Sequence, residues 1–399
     1  MEVPYTSYHL SYCTNIHPGE TWQDTFKQLK EYLPKVKEAC SPEAPMGIGL
    51  RLSNQASVEL ADKEILANFI QWLKSEHLYV FTMNGFPYGD FHGTVVKDNV
   101  HSPDWTTQER FDYTLRLFEI LNKVMPTGLH EGSISTSPLS YKYWHTDKKE
   151  IFSTATIHLI QIAQKLYKIK QKTGRLLHLD LEPEPDGLLE NTKEVIKYYC
   201  DYLLPIGEKM LANDLNVFSS TARQIILDHI RICYDVCHYA IEFESPEEAI
   251  EKMNEVGIKL GKIQISAALQ ADFDNVATHN KQRLEALKKF EESTYLHQVI
   301  VKGKNGLRQY QDLPQALKEY RNDPETWRIH FHVPLFLENY EPLQSTNKEI
   351  IKTLEYLKDK NLVKHLEIET YTWDVLPKRH QLPLSESIIR EMQWVLEKL

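Results

Sequence analysis

Apolar positions in this chain switch repeatedly between a two-residue and a 3.6-residue period, and each switch predicts a strand followed by a helix. YHLSYCTNIHPGE (8–20) precedes an amphipathic stretch over 21–39, and PMGIGLRLS (45–53) precedes the helical pattern ADKEILANFIQWLKS. HLYVFTMNGFPYGDFHG (77–93) leads to a helix over 107–123, and GLHEGSISTSP (128–138) to one over 151–171. RLLHLDLEPEP (175–185) is followed by a helix over 192–211, and RICYDVCHYAIEFE (231–244) by one over 246–256. Successive strand–helix units imply parallel strands joined by right-handed crossovers, in a closed barrel or a doubly wound sheet. Polar residues recur at the strand ends around the whole series, whereas a doubly wound sheet gathers its site at one switch point, so the barrel is expected.

Three further strand patterns follow: KLGKIQISAAL (259–269), RIHFHVPLF (328–336) and HLEIETYTW (365–373). A barrel has room for two of them. Taking 259–266 as the seventh strand and 364–370 as the eighth leaves 385–399 as a closing helix. Residues 270–344 then form an insertion with a helix near 281–292, a hairpin in YLHQVIVKGKNGLRQY turning at Lys304-Asn305-Gly306, and RIHFHVPLF. The expected architecture is one α/β domain over 1–399, a (β/α)8 TIM barrel with an insertion between strands 7 and 8.

Composition changes this picture little. Of 399 residues, 42% are hydrophobic and 26% charged, which suits a chain with a sizeable core rather than a disordered one. The balance of 46 basic against 56 acidic residues, −10 overall, disfavours a nucleic-acid partner. Five cysteines without disulfide or zinc-type spacing read as small buried hydrophobes in a reducing compartment. No leader pattern and no uncharged run of membrane-spanning length is present, so a cytoplasmic protein without membrane insertion is expected. The phosphate-loop, dinucleotide, esterase-elbow and HExxH patterns are missing as well.

The chemistry concentrates at strand ends. In RLLHLDLEPEP, His178, Asp180 and Glu182 alternate onto one face, and Glu182 falls at the tip, where Pro183 helps end the strand. Asp235, with His238 three residues on, and Glu369 occupy the corresponding places on the sixth and eighth strands, and Gln264 lies on the seventh. Carboxylates with one amide oxygen suit a hard or borderline divalent cation such as Mg, Mn or Zn, giving Glu182, Asp235, Gln264 and Glu369 as expected ligands. Glu367 shares a face with Glu369, so either one could be the eighth-strand ligand. His238 would orient a ligand or the substrate, and His17, Asn84, Tyr88, His92 and His332 would touch substrate at the same mouth. The alternative for His17 and His92 is satisfaction of loop backbone groups, and for His330 and His332 burial in a strand. His297 is a weaker candidate still. Glu184 and Asp186 read as a solvated loop, and Tyr371, Trp373 and Trp105 as either sugar-stacking walls or core.

Glu182 in LDLEPEP, the sixth-strand YDVCH and Glu369 in LEIET together resemble the xylose isomerase-like TIM barrel superfamily. That resemblance implies that the carboxylates bind a metal and that the two glutamates exchange protons on opposite faces of the substrate. The superfamily's seventh-strand ligand is usually His, and Gln264 departs from it, as in inosose dehydratase-like members. More narrowly, TNIHPGE, NGFPYGDFHG, GSISTSP, HLDLEPEP, DVCH, HFHVPLF and HLEIETYTWDVLP, from residue 14 to 377, look like the EboE family. The EboE resemblance implies an enzyme-like barrel acting beside partners of one pathway, a prenyltransferase-like membrane protein among them, in bacterial metabolite traffic.

The expected function is therefore a divalent-metal-dependent sugar or cyclitol isomerase or epimerase, its polyol substrate free or phosphorylated, with Glu182 and Glu369 catalytic. A non-catalytic polyol-binding barrel and an endonuclease IV-like phosphodiesterase are the alternatives; the acidic balance weighs against the second.

Overall fold

The computed structural model describes residues 1–89, 97–291, 295–371 and 382–399. Each βα unit forms, with strands shorter than their apolar runs because the polar tips leave the ladder. The strands are β1 (His9–Tyr12), β2 (Met46–Arg51), β3 (Leu78–Asn84), β4 (Glu131–Thr136), β5 (Leu176–Leu181), β6 (Ile230–Asp235) and β7 (Leu260–Ile265). Between β7 and the last barrel strand the chain builds β8 (Leu269–Phe273), β9 (Val299–Gly303), β10 (Gly306–Tyr310), β11 (Glu325–Ile329), β12 (Asn339–Tyr340) and β13 (Leu343–Ser345). β14 (His365–Ile368) then returns to the barrel.

The barrel order is β1-β14-β7-β6-β5-β4-β3-β2, parallel throughout, and a single parallel bridge between Cys13 and Gly49 brings β1 to β2. The fold is a nearly closed (β/α)8 barrel. Its helices start where the sequence supplies caps: Thr21, Asp62 and Thr107 accept hydrogen bonds from first-turn amides of the helices Trp22–Cys40, Lys63–Ser75 and Gln108–Val124. The helix expected over 192–211 runs as Thr192–Tyr198 and Leu204–Leu215 joined by a π turn, and the helices Ser219–His229 and Asn347–Leu357 were not anticipated.

Strand β5 shows why the alternation is so strict. Leu177, Leu179 and Leu181 are fully buried in the apolar layer that includes Leu159, Ile162 and Leu166 of the helix Lys148–Thr173. His178 and Asp180 face the other way, into the barrel, where His178 Nδ1 meets Asp180 Oδ1 at 2.6 Å. The barrel interior is polar. Lys262 Nζ donates to Glu367 Oε2 at 2.7 Å and to the Met83 carbonyl at 3.0 Å, and His365 Nδ1 lies 2.7 Å from Ser133 Oγ. Burial works against the Lys262 ammonium, but the Glu367 carboxylate more than offsets it and holds the lysine charged.

The inserted sheet is antiparallel, in the order β10-β9-β11-β8-β13-β12. Its β9–β10 hairpin pairs Gly303 with Gly306, which takes a φ of +98° at the turn that Lys304-Asn305-Gly306 suggested. The stretch expected as a strand over 328–336 is a strand only to Ile329; residues 330–335 run on as buried irregular backbone. Cys13, Cys233 and Cys237 are buried as expected, while Cys200 is exposed. No helix among the described residues is long and apolar enough to cross a membrane.

Glu391, on the closing helix Leu384–Leu396, ties the two parts together: its Oε1 accepts from the Leu335 amide at 2.9 Å and from Thr370 Oγ1 at 3.1 Å. Burial pushes this carboxyl up to about 8 from an ordinary 4.5. The folded state therefore keeps a proton that the unfolded chain releases, and stability falls as pH rises from about 4.5 to about 8. Glu391→Gln retains the acceptor and removes the titration. Urea unfolding should find the variant equal to wild type at pH 5 and roughly 2–4 kcal/mol more stable at pH 9. Parallel stability curves for the two proteins would refute this assignment.

Candidate metal centre

At the C-terminal lip of the barrel, backbone bonds extend two strands by one residue. Glu182 donates its amide to the Thr136 carbonyl at 3.0 Å and Glu369 to the Ile265 carbonyl at 3.1 Å, which points both side chains into the mouth. Asp235 ends β6 and caps the short helix Val236–Ile241, its Oδ1 accepting from the His238 amide at 3.0 Å and from Ser266 Oγ at 2.7 Å. The Asp-x-x-His spacing is thus a helix cap that also fixes a carboxylate. The three carboxylates come together, one oxygen from each lying within 4.8 Å of the others, and all are buried.

Asn15 and Asn84 both donate to Glu369 Oε1, at 2.6 and 3.0 Å, and Asn84 Oδ1 in turn accepts from the Phe86 amide at 3.0 Å. Among the described residues, none donates a hydrogen bond to Asp235 Oδ2 or Glu182 Oε2. Burial, then the charge of Asp235, raises the Glu182 carboxyl far above its usual range; burial, then Glu182, does the same to Glu369. Buried acceptor-only oxygens held this close suit a divalent cation.

The eighth-strand ambiguity is resolved by depth: Glu369 stands with Glu182 and Asp235, and Glu367 lies below, paired with Lys262. Gln264 is fully buried in register with Asp235 and Glu367, but its Oε1 receives the Cys233 thiol at 3.0 Å. His17 is buried away from the cleft-lining residues, hydrogen bonded to Tyr12 at 2.9 Å and stacked on Tyr32 at 4.4 Å. His92 and Trp373 lie outside the described residues. Tyr88 packs edge-on against Tyr113, and Trp105 is core, donating to Thr136.

Above the carboxylates lies a small cleft of about 80 Å³, partly open to solvent. Asn84, His238, His332, Glu182 and Glu369 line it, as does Tyr371, whose ring stacks on His332 at 4.6 Å. Among the described lining residues Lys97 is the only lysine or arginine, and Asp312 pairs with it at 3.1 Å.

Several groups at or near the cleft are placed elsewhere by the sequence pattern or missed by it. Glu184, expected in a solvated loop, is buried with His101 Nε2 at 3.2 Å from its Oε1, and Asp186 is fully buried beneath Gln309 of β10. The inserted sheet covers this loop, so prolines at 183 and 185 marked a turn but not its exposure. His330 and Gln298 also reach the cleft from the insertion.

No family model matches the chain, and no curated protein matches it. Among solved structures it is similar to a xylose isomerase-like TIM barrel protein from Mycobacterium smegmatis in complex with magnesium, at 11% identity over 99% of this chain and 98% of that one, TM-score 0.49. It is also similar to a xylose isomerase domain protein from Planctomyces limnophilus (10% identity, 99% and 97% covered, TM-score 0.48). A third is a D-tagatose 3-epimerase-like protein (11% identity, 98% of each chain, TM-score 0.47).

Proposed function

We propose that the chain is a divalent-metal-dependent enzyme that isomerises or epimerises a sugar or cyclitol, with Glu182, Asp235 and Glu369 holding the cation. The observation that carries this reading is the meeting of three buried carboxylates at the ends of β5, β6 and β14 within 4.8 Å, two of them with an oxygen that no described residue donates to. A bound Mn, Mg or Zn ion would polarise a substrate carbonyl and hydroxyl and so acidify the adjacent carbon-bound proton. Glu182 and Glu369 rise from different strands, β5 and β14, and so reach a substrate seated above the cation from two sides. Burial and mutual repulsion raise both carboxyls well above the ordinary carboxylate range in the absence of a cation. Asn15 and Asn84 hold Glu369 through one oxygen and leave the other for chemistry. Gln264, engaged by Cys233, braces the floor, and Tyr371 offers an aromatic face to the apolar side of a sugar ring. With Lys97 already paired, the cleft favours an unphosphorylated polyol over a phosphorylated one. We further propose kinship with the EboE family, on the motifs quoted above, with the protein acting beside other members of one metabolite pathway.

The test is metal analysis of the purified protein followed by nuclear magnetic resonance of a polyol and ketose panel in heavy water. Metal-dependent exchange of a carbon-bound proton is expected, reduced about 100-fold or more in Glu182→Gln and Glu369→Gln. Unchanged metal content in both variants would remove the proposed ligands. Polyol binding without any exchange would replace the enzyme by a carrier.

A further inference from the structure

Glu184 is a fourth buried carboxylate at the mouth. It lines the cleft with Glu182 and Glu369 but stands outside the trio that meets within 4.8 Å. The turn that carries it is pinned on both sides: His238 Nδ1 donates to the Pro183 carbonyl at 3.0 Å, the Glu184 amide to the Leu189 carbonyl at 3.1 Å, and Gln298 Nε2 to the Pro185 carbonyl at 3.1 Å. The carboxylate is thereby held at the cleft rather than left to swing into solvent. Its neighbours along the turn have a cationic partner, since Lys142 Nζ lies 3.3 Å from Asp186 Oδ1 and 2.6 Å from Glu190 Oε1. Glu184 does not. Among the described residues no lysine or arginine stands within 4.0 Å of it, and the one basic group that does is His101, whose Nε2 is 3.2 Å from Glu184 Oε1. Burial, then the Arg110 guanidinium, lowers that imidazole to about 3, so it stays neutral. No described residue donates a hydrogen bond to Glu184 Oε1 or forms one with His101 Nδ1, and both side chains are more than nine-tenths buried. A buried carboxylate with neither cation nor donor is costly until a ligand supplies them.

The groups around Glu184 define that ligand. One of its oxygens and one ring nitrogen each of His238 and His330 lie within 4.8 Å of one another. His330 donates through Nδ1 to Gln298 Oε1 at 2.8 Å, because Gln298 Nε2 is committed to Pro185, and so its Nε2 carries a lone pair. His238, donating through Nδ1 to Pro183, presents Nε2 as an acceptor in the same way, 3.0 Å from His330 Nε2. A carboxylate beside two imidazole lone pairs calls for a group that brings positive charge and several N–H bonds. A primary ammonium has three. A hydroxyl brings one donor and no charge, and a phosphate would meet a carboxylate here while Lys97 is already held by Asp312 at 3.1 Å.

We propose that the polyol this chain takes is an amino sugar or aminocyclitol, whose primary ammonium docks on Glu184 with His330 and His238 as its further acceptors. The body of the ligand rests on the polyol reading given above; its charged group rests on Glu184 alone. Glu184 is then a specificity residue, which neither holds the cation nor exchanges a proton with carbon. His330 and the Gln298 that orients it come from the inserted segment, so the insertion completes the amine pocket that the β5 turn begins.

The test is titration calorimetry of full-length, manganese-loaded protein with glucosamine, galactosamine, mannosamine and an inosamine, each beside its hydroxyl parent and its N-acetyl derivative. At least one amine is expected to bind about tenfold or more tightly than both counterparts, and Glu184→Gln to bring it within about twofold of the parent while bound metal stays at the wild-type level. Amines that bind wild type no better than their parents overturn the proposal, as does a preference that survives Glu184→Gln. Loss of metal in Glu184→Gln overturns it too, by making Glu184 a metal ligand. The amine and N-acetyl arms need no variant and decide the matter should Glu184→Gln fail to fold. Proton exchange on a neutral sugar with no amine preference overturns this inference and leaves the enzyme reading intact, whereas amine preference without any exchange supports it and overturns the enzyme reading instead.

Discussion

Glu369→Gln is expected to melt at a higher temperature than wild type in chelator and at a lower one in saturating manganese or zinc. Without metal, Glu182, Asp235 and Glu369 crowd their oxygens within 4.8 Å in a buried mouth, and each proton-free carboxylate there is disfavoured. Glutamine retains the acceptor for Asn15 and Asn84 and removes one charge, for a gain of roughly 1–3 kcal/mol. The gain should widen with pH, because the raised wild-type carboxyls must then give up their protons while the unfolded chain has already done so. With metal the order inverts. A ligand at a thousandfold excess over its dissociation constant stabilises the native state by about 4 kcal/mol, and an amide nitrogen facing the cation forfeits most of it. Calorimetry with and without metal reads the crossing, and an unchanged order in the two conditions would dismiss the cation.

Gly261→Ala is expected to destabilise the fold by about 3 kcal/mol without touching the cleft. Gly261 is the extra residue where the β6–β7 register shifts, Ile232 pairing with Leu260 but Cys233 with Lys262. A Cβ there would fall 2.0 Å from Asp180 Oδ1, and Asp180 cannot yield cheaply because His178 holds that oxygen at 2.6 Å. Gly128→Ala, with nothing within 4 Å of the added carbon, is the matched control. Urea midpoints that agree for the two variants would mean that the barrel interior yields at Asp180.

The parts of this molecule that were legible in the sequence are those written in periodicity. LLHLDL declares its two faces outright, and Asp235-x-x-His238 announces a strand end followed by a helix cap. RIHFHVPLF misled, because its alternation continues past Ile329 although the ladder does not: His330 still donates its amide to the Gln298 carbonyl, but the Phe331 amide turns back to Ile329. Alternation records burial on two sides, and buried irregular backbone satisfies it as well as a strand does. The burial of Glu184 and Asp186 could not be read locally, since their cover arrives from Gln298 and Gln309, more than a hundred residues downstream. Asn15 carried no signal beyond a polar residue in a turn; its value comes from Glu369, 354 positions away.

The oxygen donors ride on barrel strands, while His330, His332 and Gln298 belong to the inserted segment with its separately hydrogen-bonded sheet. The mouth is consequently a hinge-line between two frameworks, and Glu391 is one of the struts that set their gap. Tuning such a centre needs no rewriting of the cylinder: a small tilt of the overlying sheet changes the reach of the imidazoles and leaves every carboxylate where its strand has put it.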